Sequence, residues 1–186
     1  MRREAGDTMD EIDFNKLWQN FVDTITNHYS DFSGRVGRSR FWYYVLVYFV
    51  VGLAVSIIGG ILFTHGTLRA LYSLLLLVPS VGITARRLQD TGPSGTLAWI
   101  LLLPYALVVL TTILAVITFL TLGIGAILYV IILPIASLAA LVAIGLLIFF
   151  CAQPGEAGPN AYGAPPPAWN PNREPAPPPS SPPPAS

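Results

Sequence analysis

Six charged side chains fall within two short stretches of this sequence. Arg35, Arg38 and Arg40 lie in Phe32-Ser33-Gly34-Arg35-Val36-Gly37-Arg38-Ser39-Arg40-Phe41-Trp42. Arg86, Arg87 and Asp90 lie in Arg86-Arg87-Leu88-Gln89-Asp90-Thr91-Gly92-Pro93-Ser94-Gly95. A guanidinium presents five donors in a planar fork that fits a carboxylate or a phosphate. An aspartate among arginines accepts charge-assisted hydrogen bonds. The set therefore offers two kinds of chemistry: recognition of an anion, or an internal salt bridge that pins one stretch to the other. Catalysis lacks its parts, because there is no Ser/His/Asp set and no phosphate-cradling glycine loop beside a lysine. With Gln89 in the second stretch, no imidazole titrates in the cluster. His28, His65 and the single Cys151 give no metal-ligand spacing, so neither a metal nor a cofactor is expected.

The elements that position these groups follow from composition. The chain has 186 residues, 53% of them apolar or aromatic and 11% charged, with a mean hydropathy of +0.61. Soluble domains carry about 25% charge. Not one Asp, Glu, Lys or Arg occurs in the 65 residues between Asp90 and Glu156. One bilayer crossing needs about 20 apolar residues, so the pattern is that of an integral membrane protein. A soluble domain, a disulfide scaffold and a nucleic-acid binder are excluded.

Four apolar segments are expected to cross. The first runs from Phe41 to Phe63, with an aromatic cluster marking an interface at its start. The second lies between Arg69 and Arg86, is short, contains Pro79, and spans if both arginines snorkel outward. The third and fourth cover Leu97 to about Leu122 and Ile124 to about Phe150, joined by a tight turn at Leu122-Gly123-Ile124-Gly125. Pro104 and Pro134 are expected to bend them. The fold class is thus all-α: a four-helix transmembrane bundle over residues 31–152.

Flanking segments complete the plan. Residues 1–11 read as a disordered start, with Met9 an alternative initiator, and without a cleavable signal peptide. Residues 12–30 read as an amphipathic interfacial helix. Ile12, Phe14, Leu17, Trp18, Phe21, Val22, Ile25 and Tyr29 form one face; Asn15, Lys16, Gln19, Asn20, Asp23, Thr24 and Asn27 form the other. That polar face lacks the basic residues of a lipid-binding amphipath, which also fits packing on the bundle. Residues 153–186 read as a proline-rich disordered tail. Near its start lies a third polar stretch, Gly158-Pro159-Asn160-Ala161-Tyr162-Gly163-Ala164-Pro165.

Taken together, the three stretches resemble the bacterial inner-membrane family of domain of unknown function 805, the YhaH-like proteins. The family pattern resembles F-x-G-R-x-x-R-x-x-F-W, then R-R-L-H-D-x-G-x-S-G, then G-x-N-x-Y/F-G-x-x-P, in this order and spacing from about Asp31 to Pro167. The chain departs from it at Gln89, where His is usual, at Thr96-Leu97, where an aromatic pair is usual, at Arg40, where an acid is common, and in its extra proline tail. The resemblance implies a multi-pass inner-membrane protein and implies no biochemical activity.

Two readings of Arg35, Arg38, Arg86, Arg87 and Asp90 remain open from sequence: an internal salt-bridge cluster, or a site for an anionic lipid headgroup. In the second, Gly34, Gly92 and Gly95 permit close backbone approach, and Ser94, Asn160, Tyr162 and Gly163 shape the turns. Asp23 and Asp31, without arginines on both sides, are expected to matter less than Asp90. The bilayer is the expected environment, with a protein partner or a second copy of the chain as alternatives to anionic headgroups, and no nucleic acid. The functional expectation is a non-enzymatic membrane protein; a small-solute transporter or channel component is the alternative.

Orientation follows from the arginines. Arg35, Arg38, Arg40, Arg86 and Arg87 flank one side of the first two spans and only Arg69 the other, which puts both termini in the cytoplasm. Reporter fusions at residues 8 and 170 should both give cytoplasmic signals, and a periplasmic signal from either refutes four crossings.

Overall fold

The computed structural model describes residues 14–64, 66–121 and 126–166. The expected disordered start, Ile12, His65, the turn at Leu122 to Gly125 and the tail beyond residue 166 lie outside the described residues. Among the described residues six α-helices follow one another: α1 Phe14–Thr26, α2 Arg38–Ile61, α3 Thr67–Leu75, α4 Leu77–Thr91, α5 Leu103–Leu120 and α6 Ala126–Ala152. A 3-10 segment, Gly95–Leu102, leads directly into α5.

Three stretches of the described residues are long and apolar enough to cross a bilayer: Arg38–Ile61, Gly95–Leu120 and Val130–Ala152. The pair α3–α4 makes a fourth if it is taken as one span, bent by 45°. Phe49, Leu53 and Ile57 on α2, Val108 on α5 and Ile135 on α6 are all more than half exposed. Such outward faces suit lipid rather than water. The described residues form an all-helical polytopic membrane bundle.

The bend between α3 and α4 has a sequence cause. Pro79 has no N–H, and its ring collides with the carbonyl four residues back, that of Leu75, where α3 ends. The carbonyl left over accepts the Tyr29 hydroxyl at 2.8 Å. The second apolar segment is therefore two helices, where the sequence suggested one short helix. Pro104 also acts differently from expectation. It sits in the first turn of α5, where its missing N–H costs nothing, and starts that helix. Pro134 lies inside α6.

The core is asymmetric. Every residue from Val81 to Asp90 is buried, so α4 is enclosed on all sides although its last turns carry Arg86, Arg87, Gln89 and Asp90. Around it pack Val36, the start of α2 (Phe41, Tyr44), Ala98 of the 3-10 segment and the end of α6 (Leu147, Cys151). Cys151 is buried as a small hydrophobe.

Helix α1 docks on α2 and α4. Leu17 and Phe21 are buried as the periodicity implies, but so are Asn20 and Thr24 of the supposed polar face, while Phe14 and Trp18 are exposed. The helix is rotated from the orientation that would bury its apolar face alone, because Asn20 reads the start of α2. Its Nδ2 donates to the Arg40 carbonyl at 2.8 Å, and its Oδ1 accepts from Arg40 Nε at 3.0 Å. Thr24 in turn donates to the Asn20 carbonyl at 2.8 Å.

Removing a buried partner leaves its mate unsatisfied, at a cost of about 1–3 kcal/mol. Asn20→Ala should therefore lower the thermal midpoint in mild detergent clearly. Phe14→Ala, on an exposed site, should stay within about 0.5 kcal/mol.

Candidate functional site

Helices α4 and α6 end side by side, and each finishes the other. A helix leaves its last four carbonyls without intrahelical partners. At the end of α6, Arg87 Nε donates to the Cys151 carbonyl at 3.0 Å, and its Nη2 donates to the carbonyl of Gln153 just beyond. A cation at a helix C-terminus also meets the negative end of the dipole. At the end of α4, the chain that follows α6 returns the bonds. The Glu156 N–H donates to the Asp90 carbonyl at 2.8 Å, and Asn160 Nδ2 donates to the Gln89 carbonyl at 2.9 Å.

Asp90 lies between two arginines. Its Oδ2 accepts from Arg87 Nη1 at 2.5 Å, one turn back on the same helix, and its Oδ1 from Arg35 Nε at 2.9 Å. The side chains of Arg35, Asp90 and Arg87 are 1%, 4% and 0% exposed. Arg35 uses its remaining donors on the returning chain, at the carbonyls of Glu156 (2.5 Å), Gly158 (2.7 Å) and Gly163 (3.3 Å). Arg87 Nη1 also reaches the Val36 carbonyl at 3.4 Å. Three stretches distant in sequence are thereby clasped around one carboxylate.

The glycines and the asparagine have identifiable work here. A Cβ at Gly155 would overlap Asp90 Oδ2, so only glycine lets the chain pass the carboxylate. Gly92, with φ of 100°, turns the chain out of α4 in a conformation L residues rarely adopt. Gly34 has nothing near its Cβ position and serves conformation, not close approach as expected. At Gly95 a Cβ would meet Gln89 Nε2 at 2.5 Å. That amide donates to the Phe32 carbonyl at 3.0 Å, which is the part Gln89 plays at the position where His is usual. Asn160 Oδ1 accepts the Tyr162 N–H at 2.9 Å, and Asn160 and Gly163 exchange backbone bonds at 3.0 Å, closing the turn. Tyr162 itself is exposed, and Ser94 bonds its neighbour Thr96 at 2.5 Å.

The expected single cluster is two networks. Arg86 leaves the clasp and pairs with Asp31 at 3.4 Å, while Arg40 pairs with Asp23. His28 Nδ1 lies 3.1 Å from Asp31 Oδ2 and its Nε2 3.8 Å from Asp23 Oδ2. Arg38 joins neither network and stays exposed. Asp23 and Asp31 thus have arginine partners that their distance along the chain concealed. Burial raises the Asp31 carboxyl, but the Arg86 guanidinium, the Ser33 N–H and His28 outweigh it and bring its pKa below the ordinary value. Sequence reasoning also missed Gly155. Its signal was only a glycine just before Glu156, the next acid after Asp90 in the chain.

Breaking a buried pair costs about 3–5 kcal/mol because a charge is left uncompensated, whereas exposed pairs are worth under about 1. The side chains of Asp23 and Asp31 are 32% and 36% exposed. Asp90→Asn should therefore lower the thermal midpoint in mild detergent far more than Asp31→Asn or Asp23→Asn. Since the Asp31 pKa is lowered by folding, its contribution is present above the unfolded value and lost as pH falls through the folded one. The gap between the parent protein and Asp31→Asn should close as pH drops below about 4.

Comparison with known proteins agrees with this architecture. The chain is 32% identical over 83 residues to inner membrane protein YhaI of Escherichia coli K12, covering 44% of this chain and 70% of the relative. It is 31% identical over 90 residues to inner membrane protein YhaH of the same strain, covering 44% and 71%. It is 30% identical over 84 residues to the uncharacterized protein YiiR, covering 45% and 58%. No solved structure matches it. The family described as "Protein of unknown function (DUF805)" matches residues 29–164, which hold α2 to α6 and the whole clasp, and the chain belongs to that family.

Proposed function

We propose that this is a non-enzymatic protein of the bacterial inner membrane, with both ends cytoplasmic, that binds anionic lipid headgroups at the face where α2 begins and α4 and α6 end. In this reading the clasp shapes the face and does not touch the ligand. Every guanidinium nitrogen of Arg35 and Arg87 already has an acceptor, on Asp90 or on a backbone carbonyl. Arg86 carries the reading. Its side chain is 5% exposed, one Nη1 reaches Asp31 at 3.4 Å, and its Nε and Nη2 are buried without a partner. A buried donor in that state gains a charge-assisted bond from any phosphate or carboxylate that reaches it. Exposed Arg38, at the start of α2, adds a second positive charge at the same end of the bundle.

The test is lipid retention. Native mass spectrometry of the protein released from nanodiscs containing equal phosphatidylglycerol and phosphatidylcholine should find the anionic lipid enriched several-fold. Arg86→Gln with Arg38→Gln should abolish the enrichment while the thermal midpoint keeps the protein folded. Equal retention of both lipids by the parent protein would overturn the reading.

A further inference from the structure

Arg69 is the arginine expected to snorkel out of the loop between the first two spans, and it does the opposite. Its guanidinium lies within the seam between α2 and α3, 5.3 Å from the ring centre of Tyr72 and 5.7 Å from that of Tyr48. A Cβ at Gly52 would coincide with Arg69 Nη1, so the arginine occupies the space this glycine leaves open in α2. Gly52 stands nine residues before the end of α2 at Ile61, about 14 Å along the helix at 1.5 Å per residue. The charge therefore lies beside the middle of the apolar stretch Arg38–Ile61 and not at its end.

None of the described residues neutralises it. No Asp or Glu occurs between Asp31 and Asp90. The described carboxylates are Asp23, Asp31, Asp90 and Glu156; the first three hold Arg40, Arg86, and Arg35 with Arg87, and Glu156 accepts from Asn160. The nearby hydroxyls are also engaged: Tyr72 donates to the Tyr48 carbonyl at 2.9 Å, and Tyr105 to the Ser73 carbonyl at 3.1 Å. Two aromatic faces stabilise the cation in part. They leave Arg69 Nη1 buried and without a hydrogen-bond partner. An ionised side chain at such depth marks a functional site by default, and its natural partner is an anion.

The space around it says which anion. Arg69 lines a cavity of about 570 Å³ enclosed by parts of all the helices from α2 to α6, among them Trp42, Phe49, Val108 and Leu147. Ligand cavities span roughly 300–1,000 Å³. Apart from Arg69 and a few hydroxyls, the walls are apolar, so they suit hydrocarbon and not a hydrated ion. We propose that this cavity binds one single-chain anionic amphiphile, with its ionised carboxylate or phosphate head on Arg69 and its acyl chain along the apolar wall. The site is separate from the headgroup face described above, which is formed by other residues, and neither reading depends on the other.

Trp42 lines the cavity and can report on it. The protein has four tryptophans, so Trp18, Trp99 and Trp169 would be changed to Phe and the full chain placed in phosphatidylcholine nanodiscs. Dibromostearate, ionised above neutrality, should quench Trp42 at a concentration at least tenfold lower than its uncharged methyl ester does. A brominated lysophosphatidic acid should behave like the acid, and inorganic phosphate should not compete. Arg69→Gln should erase the preference for the acid and leave binding of the ester unchanged. Gly52→Ala should do the same with the charge retained, because its methyl group takes the place of Nη1; it decides the matter if Arg69→Gln fails to fold. Equal quenching by acid and ester, or a preference that survives in Gly52→Ala, overturns the proposal. Displacement of the acid by inorganic phosphate overturns the acyl-chain assignment and makes the site one for a free anion.

Discussion

Burying a guanidinium is costly unless its nitrogens find acceptors, and those of Arg87 are met from three separate parts of the chain. Its acceptors come from α4 itself, from the segment before α2 and from the end of α6. Each acceptor must be brought within hydrogen-bond reach, so three helix ends are fixed in one place. The chain beyond α6 then closes the α4 terminus through Glu156 and Asn160. The hydrophobic effect cannot specify this geometry, because lipid competes equally for apolar side chains. Polar bonds at the helix ends can, since each has few alternative partners.

That division of labour explains which parts of the structure are legible from sequence. The spans are, because 65 uncharged residues admit few fates. The meeting of Arg35, Arg87 and Asp90 is legible as a pattern of charge, and the glycines beside them as turn signals. The partition into two networks is not. Arg86 and Arg87 are adjacent, yet on a helix adjacent residues point about 100° apart. One faces Asp31 and the other Asp90 and α6. The burial of Asn20 is equally hidden, because helical periodicity sorts Asn with the polar face and carries no sign of the Arg40 backbone it will meet.

Proline effects are visible in kind but not in place. In the sequence Pro79 shortens one span, whereas its clash falls four residues earlier and splits that span into α3 and α4. Arg69 shows the same limit more sharply. Composition places it in a loop, and snorkelling implies an outward course. The vacancy that draws it inward is Gly52, seventeen residues earlier in the chain and on a different helix.

The reciprocal capping of α4 and α6 also sets an order of assembly. Arg87 and the Cys151 carbonyl that it caps are 64 residues apart. At 5–20 residues per second, the ribosome takes about 3–13 s to make that stretch. For that interval α4 has already been made, with Arg87 and the carbonyls of Gln89 and Asp90 lacking their partners from the far end of the chain. The central helix of the bundle is thus the one completed last. A chain that stops before Asn160 lacks the amide that meets the Gln89 carbonyl at the end of α4.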